Sequence, residues 1–150
     1  MHAEKRVLPY TPAQLFDLVA DVEKYPAFLP WCLAVRVRHR EIVETTVGGE
    51  ELLVADMAIG FKVFRESFTT RVQCRRPERI DVTYTDGPFR YLNNHWVFSP
   101  KGNNACEIDF FVDFEFRSTI LQKAIGLVFN EAVSKMVDAF QTRAEALYGP

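Results

Sequence analysis

"CEIDFFVDFEFRSTILQKAIGLVFNEAVSKMVDAFQTRAEALYG", residues 106–149, changes its hydrophobic period part-way along, and that change decides the fold. Ile108, Phe110, Val112, Phe114 and Phe116 share one face of an extended segment, while Glu107, Asp109, Asp113 and Glu115 share the other. Only Phe111 breaks the alternation. From Leu121 the apolar positions step instead by threes and fours, through Ile125, Val128, Phe129, Ala132, Val133, Met136, Val137, Phe140, Ala144 and Leu147. Gln122, Lys123, Glu131, Lys135, Asp138, Gln141 and Glu145 lie largely off that stripe, and Gly149 with Pro150 supplies a stop. A half-buried strand therefore runs into one long, continuous amphipathic helix, and that helix is the obvious cover for the strand's apolar face.

Upstream, two segments repeat the strand pattern. "YLNNHWVF" puts Leu92, Asn94, Trp96 and Phe98 on one face, and "RIDVTYT" does the same for Ile80, Val82 and Tyr84. No helical period of useful length occurs between Leu33 and Arg117, where "TVGGEE", "CRRPER", "TDGPF" and "SPKGNN" read as hairpin turns. The sheet they imply is antiparallel, with one wet side and one apolar side. Near the amino terminus "VLPYTPAQLFDLVADV" predicts a short helix. Thr11 is its N-cap, Pro12 sits at N1, Gln14 completes a capping box, and Leu15, Leu18, Val19 and Val22 form its apolar face. One strand, a short helix, a run of strands and a long helix make an α+β architecture. Neither βαβ alternation nor a dinucleotide-type glycine fingerprint is present.

Size and charge narrow the function. At 150 residues the chain is expected to form a single domain, residues 1–150, able to bury roughly 68–70% of its unfolded surface. Net charge is −2 with both signs spread along the chain, so the strongly basic footprint of a DNA-binding protein is absent. Cys32, Cys74 and Cys106 fit no ligand or disulfide spacing and read as reduced, packed thiols of a cytosolic protein. No leader-like apolar segment and no run of 18 apolar residues appears, so a cytoplasmic location is expected. His2, His39 and His95 are far apart, no nucleophile stands beside a base, and no metal-ligand spacing occurs. Neither a catalytic residue nor a metal site is therefore assigned, and the chain is expected not to be an enzyme.

Thirteen Phe in 150 residues ask for a destination. A curved sheet and a straight helix touch in the middle and diverge toward the ends, leaving a gap that large side chains or a ligand must fill. Phe64, Phe68, Trp96, Phe98, Phe110, Phe114 and Phe129 serve either as packed core or as the wall of such a gap. "DVEKYPAFLPWC", residues 21–32, adds Tyr25, Phe28, Leu29 and Trp31 in a stretch too short and proline-broken for a core helix.

These stretches, with "GFKVFRESFTTRV", "DGPFRYLNNHWVFSP" and the final strand-to-helix run, resemble the coenzyme Q-binding family of the START-like superfamily of polyketide cyclases, dehydrases and lipid transporters. The resemblance runs in order from Arg6 to Gly149, and it extends to bacterial ribosome-association toxins with a very similar C-terminal run. It implies a helix-grip fold, a curved antiparallel sheet around a long C-terminal helix with short helices near the N-terminus. The implied cavity lies between sheet and helix and takes ubiquinone or a similar isoprenoid lipid, bound without covalent attachment, in support of respiration. Tyr25, Phe28, Leu29 and Trp31 would form its lid, the alternative being a loop that closes the core permanently. Asn94, Trp96 and Tyr84 would offer hydrogen bonds to a ring, and Phe64, Phe68, Phe110, Phe114, Phe129, Val133 and Met136 would line the tail.

Three further features belong to alternative readings. Glu66 shares parity with Phe64 and Phe68, so it either faces inward as an acid or base, as in the superfamily's cyclases, or reaches water or Arg65 at the sheet rim. Arg36, Arg38 and Arg40 are expected on one strand face, and Arg75, Arg76 and Arg79 at a turn. Those basic groups suit anionic lipid at the inner membrane surface, suit ribosomal RNA in a regulator that blocks subunit association, or are balanced by neighbouring acids.

Overall fold

The structure is a computed structural model that describes residues 1–45, 48–61 and 64–149. Seven antiparallel strands form one sheet in the order β1-β7-β6-β5-β4-β3-β2. They are β1 (His2–Leu8), β2 (Cys32–Thr45), β3 (Gly48–Phe61), β4 (Phe64–Arg75), β5 (Arg79–Asp86), β6 (Phe89–Pro100) and β7 (Cys106–Phe116). Helix α1 (Pro12–Ala20) and a 3₁₀ helix (Val22–Ala27) separate β1 from β2, and α2 (Thr119–Gly126) and α3 (Phe129–Tyr148) follow β7. The expected helix-grip, START-like α+β fold is the one found.

The parity of β5, β6 and β7 is realised as read. Ile108, Phe110, Val112 and Phe116 of β7 are buried on the inner face with Ile80, Trp96 and Phe98. The odd residue Phe111 lies on the outer face, where its ring stacks on His95 at 5.1 Å. Turns join β4 to β5, β5 to β6 and β6 to β7 at the expected stretches. Of the turn expected at Thr46–Glu51, Thr46 and Val47 lie outside the described residues. Helix α1 begins at the predicted capping box, in which Thr11 Oγ1 accepts from the Gln14 amide and Gln14 Oε1 accepts from the Thr11 amide. Such a cap is worth about 1 kcal/mol.

Two expectations are corrected. The C-terminal stripe is carried by two helices, not by one continuous helix: the backbone leaves helical geometry at Val128 (φ −126, ψ 10), and Leu127 at the junction is 89% exposed. Gly126 lowers helix propensity by about 1 kcal/mol relative to Ala, and β-branched Val128 follows, so the chain turns there at little cost. Ser118 caps the new first helix by accepting from the Leu121 amide. Likewise Arg36, Arg38 and Arg40 do not share a face. A bulge between Val37 and His39 inserts one residue, so Arg40 reaches Glu51 at 2.7 Å and Glu23 of the 3₁₀ helix at 3.0 Å, whereas Arg38 pairs with Asp56.

Candidate functional site

Between the inner sheet face and α2–α3 lies a cavity of about 240 Å³ with an almost wholly apolar wall. Strand β4 contributes Phe64 and Phe68, β6 contributes Asn94 and Trp96, and β7 contributes Phe110 and Phe114. From α3 come Phe129, Val133 and Met136, and from the 3₁₀ segment and the residues after it Tyr25, Leu29 and Trp31. Twelve of the sequence-predicted residues thus meet around one space. Two do not. Phe28 turns away to pack edge-on against Tyr25 and Phe140, with Arg143 over its ring, and the Tyr84 hydroxyl accepts from the Phe89 amide outside the cavity wall.

Met57, Ile59 and Phe61 of β3, with Leu121 and Ile125 of α2, complete the wall. The alternation Leu53, Ala55, Met57, Ile59, Phe61 was the signal that identifies the β3 contribution. Trp31, Phe61, Phe64 and Glu66 are half-buried where the deeper Ala55, Val72, Ile80 and Phe110 are buried, so the cavity opens at the end walled by α2.

The segment at residues 21–32 is more regular than an irregular lid. Its 3₁₀ helix includes Pro26; Val22, Tyr25 and Leu29 are buried in the main core; and the Tyr25 hydroxyl donates to the Val19 carbonyl. Only its end is at the mouth, where Trp31 sits with φ +65, meets the Phe61 ring at 6.2 Å and accepts the Gly60 amide at 2.9 Å. A tryptophan in the left-handed region is a backbone position held by its surroundings.

Comparison with known proteins gives the family. Residues 8–141 match the polyketide cyclase/dehydrase and lipid transport family. The chain belongs to that family. Within its relatives, the ribosome association toxin RatA of Escherichia coli K12 is 37% identical over 142 residues, covering 95% of this chain and 85% of its own. The mitochondrial coenzyme Q-binding protein COQ10 homolog B of Xenopus laevis is 32% identical over 152 residues, 99% of this chain and 59% of its own. The solution structure of an 18 kDa Caulobacter crescentus protein, 37% identical, matches with a TM-score of 0.78 over 99% of this chain and 98% of that one. Both kinds of relative implied by the sequence resemblance are therefore found.

Polar chemistry in this family member's cavity is sparse. Asn94 lines the wall but commits an amide N–H to the Phe111 carbonyl at 2.8 Å. Glu66 also lines the wall; Arg65 lies on the other side of the sheet, over Gly60, and is not its partner. Burial pushes the Tyr25 hydroxyl far up, and pushes the thiols of Cys32, Cys74 and Cys106 up to about 11, 12 and 11, which keeps all four neutral at physiological pH. The three cysteines are free and buried. Outside the cavity, the basic stretches are threaded with acids: Arg75 pairs with Glu50, Arg76 with Asp17 and Arg79 with Asp81.

Proposed function

We propose that this protein is a non-catalytic carrier or chaperone of an isoprenoid lipid of the ubiquinone class, serving respiratory electron transfer. The observation that carries the reading is the void itself. By roughly 24 cal/mol per Å³, an empty space of about 240 Å³ forfeits up to about 6 kcal/mol of packing. That is comparable with the whole net stability of a domain, about 5–15 kcal/mol. A chain with thirteen Phe has the material to fill such a space, and leaving it open is explained by an occupant. Its volume is just below the roughly 300–1,000 Å³ of small-molecule sites, enough for a ring and the start of a tail, the rest of which threads out past Trp31 and α2.

The mouth also suits a bilayer as the source of the lipid. While Leu121 and Ile125 of α2 face the cavity, Ile120 is 72% and Leu127 89% exposed on the outside, beside exposed Arg117 and Lys123, neither of which is paired with a carboxylate among the described residues. Exposed apolar side chains flanked by cations fit an anionic lipid surface. No helix among the described residues is long and apolar enough to cross a membrane, so the contact proposed is peripheral.

Organic extraction of the protein purified from its native host, followed by mass spectrometry, tests the carrier reading; near-stoichiometric quinone is expected. An empty extract that stays empty after incubation with quinone-loaded anionic vesicles would sink it. In the same assay the double substitution Ile120→Asp, Leu127→Asp is expected to slow uptake from vesicles about tenfold or more and to leave binding of detergent-presented quinone unchanged. Loss of both would mean a folding defect rather than lost docking.

A second reading, a ribosome-binding regulator that inhibits subunit association, is favoured by the 37% identity to RatA. The ion pairs that break up the basic surface weigh against it. Cosedimentation with ribosomal subunits separates the two.

A further inference from the structure

We infer that the cavity selects lipids whose head group donates a hydrogen bond, a hydroquinone ahead of the matching quinone, and that Glu66 makes the selection. This rests on the carrier reading and deepens it. Glu66 on β4 stands opposite Ile59 on β3, and both line the half-buried end of the cavity. Its sequence neighbours Arg65 and Ser67 are exposed on the outer face. A Cβ at Gly60 would lie 2.6 Å from Arg65 Nη1 and 3.0 Å from Leu33 Cδ1, which locates that guanidinium on the outer face. Among the described residues neither a cation nor a hydrogen-bond donor is paired with the Glu66 carboxylate.

Other polar groups of the wall, among them the Thr70 hydroxyl and the indole N–H groups of Trp31 and Trp96, can donate to the oxygens of quinone and hydroquinone alike and so do not tell the two apart. Tyr25 spends its hydroxyl proton on the Val19 carbonyl, and Asn94 commits one N–H to Phe111 while keeping its second N–H and Oδ1, a donor and an acceptor that serve either redox form. A carboxylate only accepts, so Glu66 is the group of this wall that separates a ligand that donates from one that cannot. A quinone ring carries carbonyl and ether oxygens, which also only accept. Seated there, it displaces water from the carboxylate and returns nothing to it, a loss for any desolvated polar group. A hydroquinone brings two O–H groups, one of which forms a charge-assisted O–H···O bond with Glu66. A prenyl alcohol carries the same donor on the same kind of tail. Preference for the reduced form also acts back on the ligand: a tenfold difference in affinity raises the two-electron potential of the bound couple by about 30 mV.

The test is equilibrium dialysis, under strict exclusion of oxygen, of the full-length protein against a short-tailed ubiquinone, its hydroquinone, and farnesol. The wild type is expected to bind the hydroquinone about tenfold tighter than the quinone. Glu66 has no partner to lose among the described residues, so Glu66→Gln should fold as the parent does, weaken the hydroquinone and not the quinone, and bring the ratio within about twofold. If farnesol weakens in parallel, the hydroxyl in general is what is read; if only the hydroquinone weakens, the ring hydroxyl is. Equal binding of both quinone forms by the wild type, or a ratio unchanged in Glu66→Gln, overturns selection by Glu66 and leaves the carrier reading standing. Binding of neither form by the wild type overturns both.

Discussion

Truncating Phe140 to Ala is expected to remove about 3–5 kcal/mol of folding stability, the range for a fully buried aromatic ring. The ring is 6% exposed and makes edge-to-face contacts with Tyr25 and Phe28 at 5.3 Å each and with Trp96 at 4.9 Å. It thereby joins three parts of the chain that have no covalent reason to meet: α3, the 3₁₀ segment before β2, and the inner face of β6. Each aromatic pair adds about 0.5–1.5 kcal/mol beyond area burial, and none survives the substitution. Phe140 also borders the cavity, so the space left by its ring merges with an existing void that the surroundings have not collapsed into, which favours the upper end of the range. At roughly 2–4 °C per kcal/mol for a chain of this size, the midpoint should fall by about 10 °C. Urea unfolding followed by tryptophan fluorescence measures the loss directly. A change below about 1 kcal/mol would show that the helix is held to the sheet elsewhere.

Most of the sheet that this ring packs against could be read from the sequence, and the reasons for the exceptions are local. Alternation in β5, β6 and β7 reported burial faithfully because one face meets the core and the other meets water, so parity and environment coincide. In β2 the same rule failed at one point, since a bulge shifts parity without leaving a mark in composition. The break between α2 and α3 was hidden by a stripe that keeps its spacing across Ile125, Phe129 and Val133. Gly126 was the available signal, and it was outweighed by periodicity. Phe28 has the composition of a cavity residue but points to Phe140, because a 3₁₀ turn sends neighbouring side chains in directions that no strand or helix period predicts. Tyr84 has the inward parity of Ile80 and Val82 yet lies beyond the cavity wall, its hydroxyl held at the start of β6. What parity cannot supply is whether an inward side chain touches another side chain or faces a gap. That depends on how far the curved sheet diverges from the helices, a distance fixed by all seven strands together.

A substitution that fills the gap should therefore do the opposite of one that enlarges it. Ala132, on α3 between Phe129 and Met136, faces the cavity and is half-buried. Ala132→Phe directs a ring into space that the native chain leaves open, and cavity-filling changes of this kind commonly add about 0.5–2 kcal/mol of stability. Quinone affinity is expected to fall by roughly tenfold or more, since the ring and the ligand cannot occupy the same volume. In Phe140→Ala, by contrast, stability falls while the cavity grows, and any affinity measured below the unfolding transition should be retained. One variant gains stability and loses binding while the other loses stability and keeps binding, a pattern that an ordinary core defect cannot imitate. If Ala132→Phe is stable and still binds quinone as the parent does, the lipid sits elsewhere and the void is a packing fault; if it is destabilised by more than about 1 kcal/mol, the space is narrower than it measures and the overpacked ring has forced the helix off the sheet.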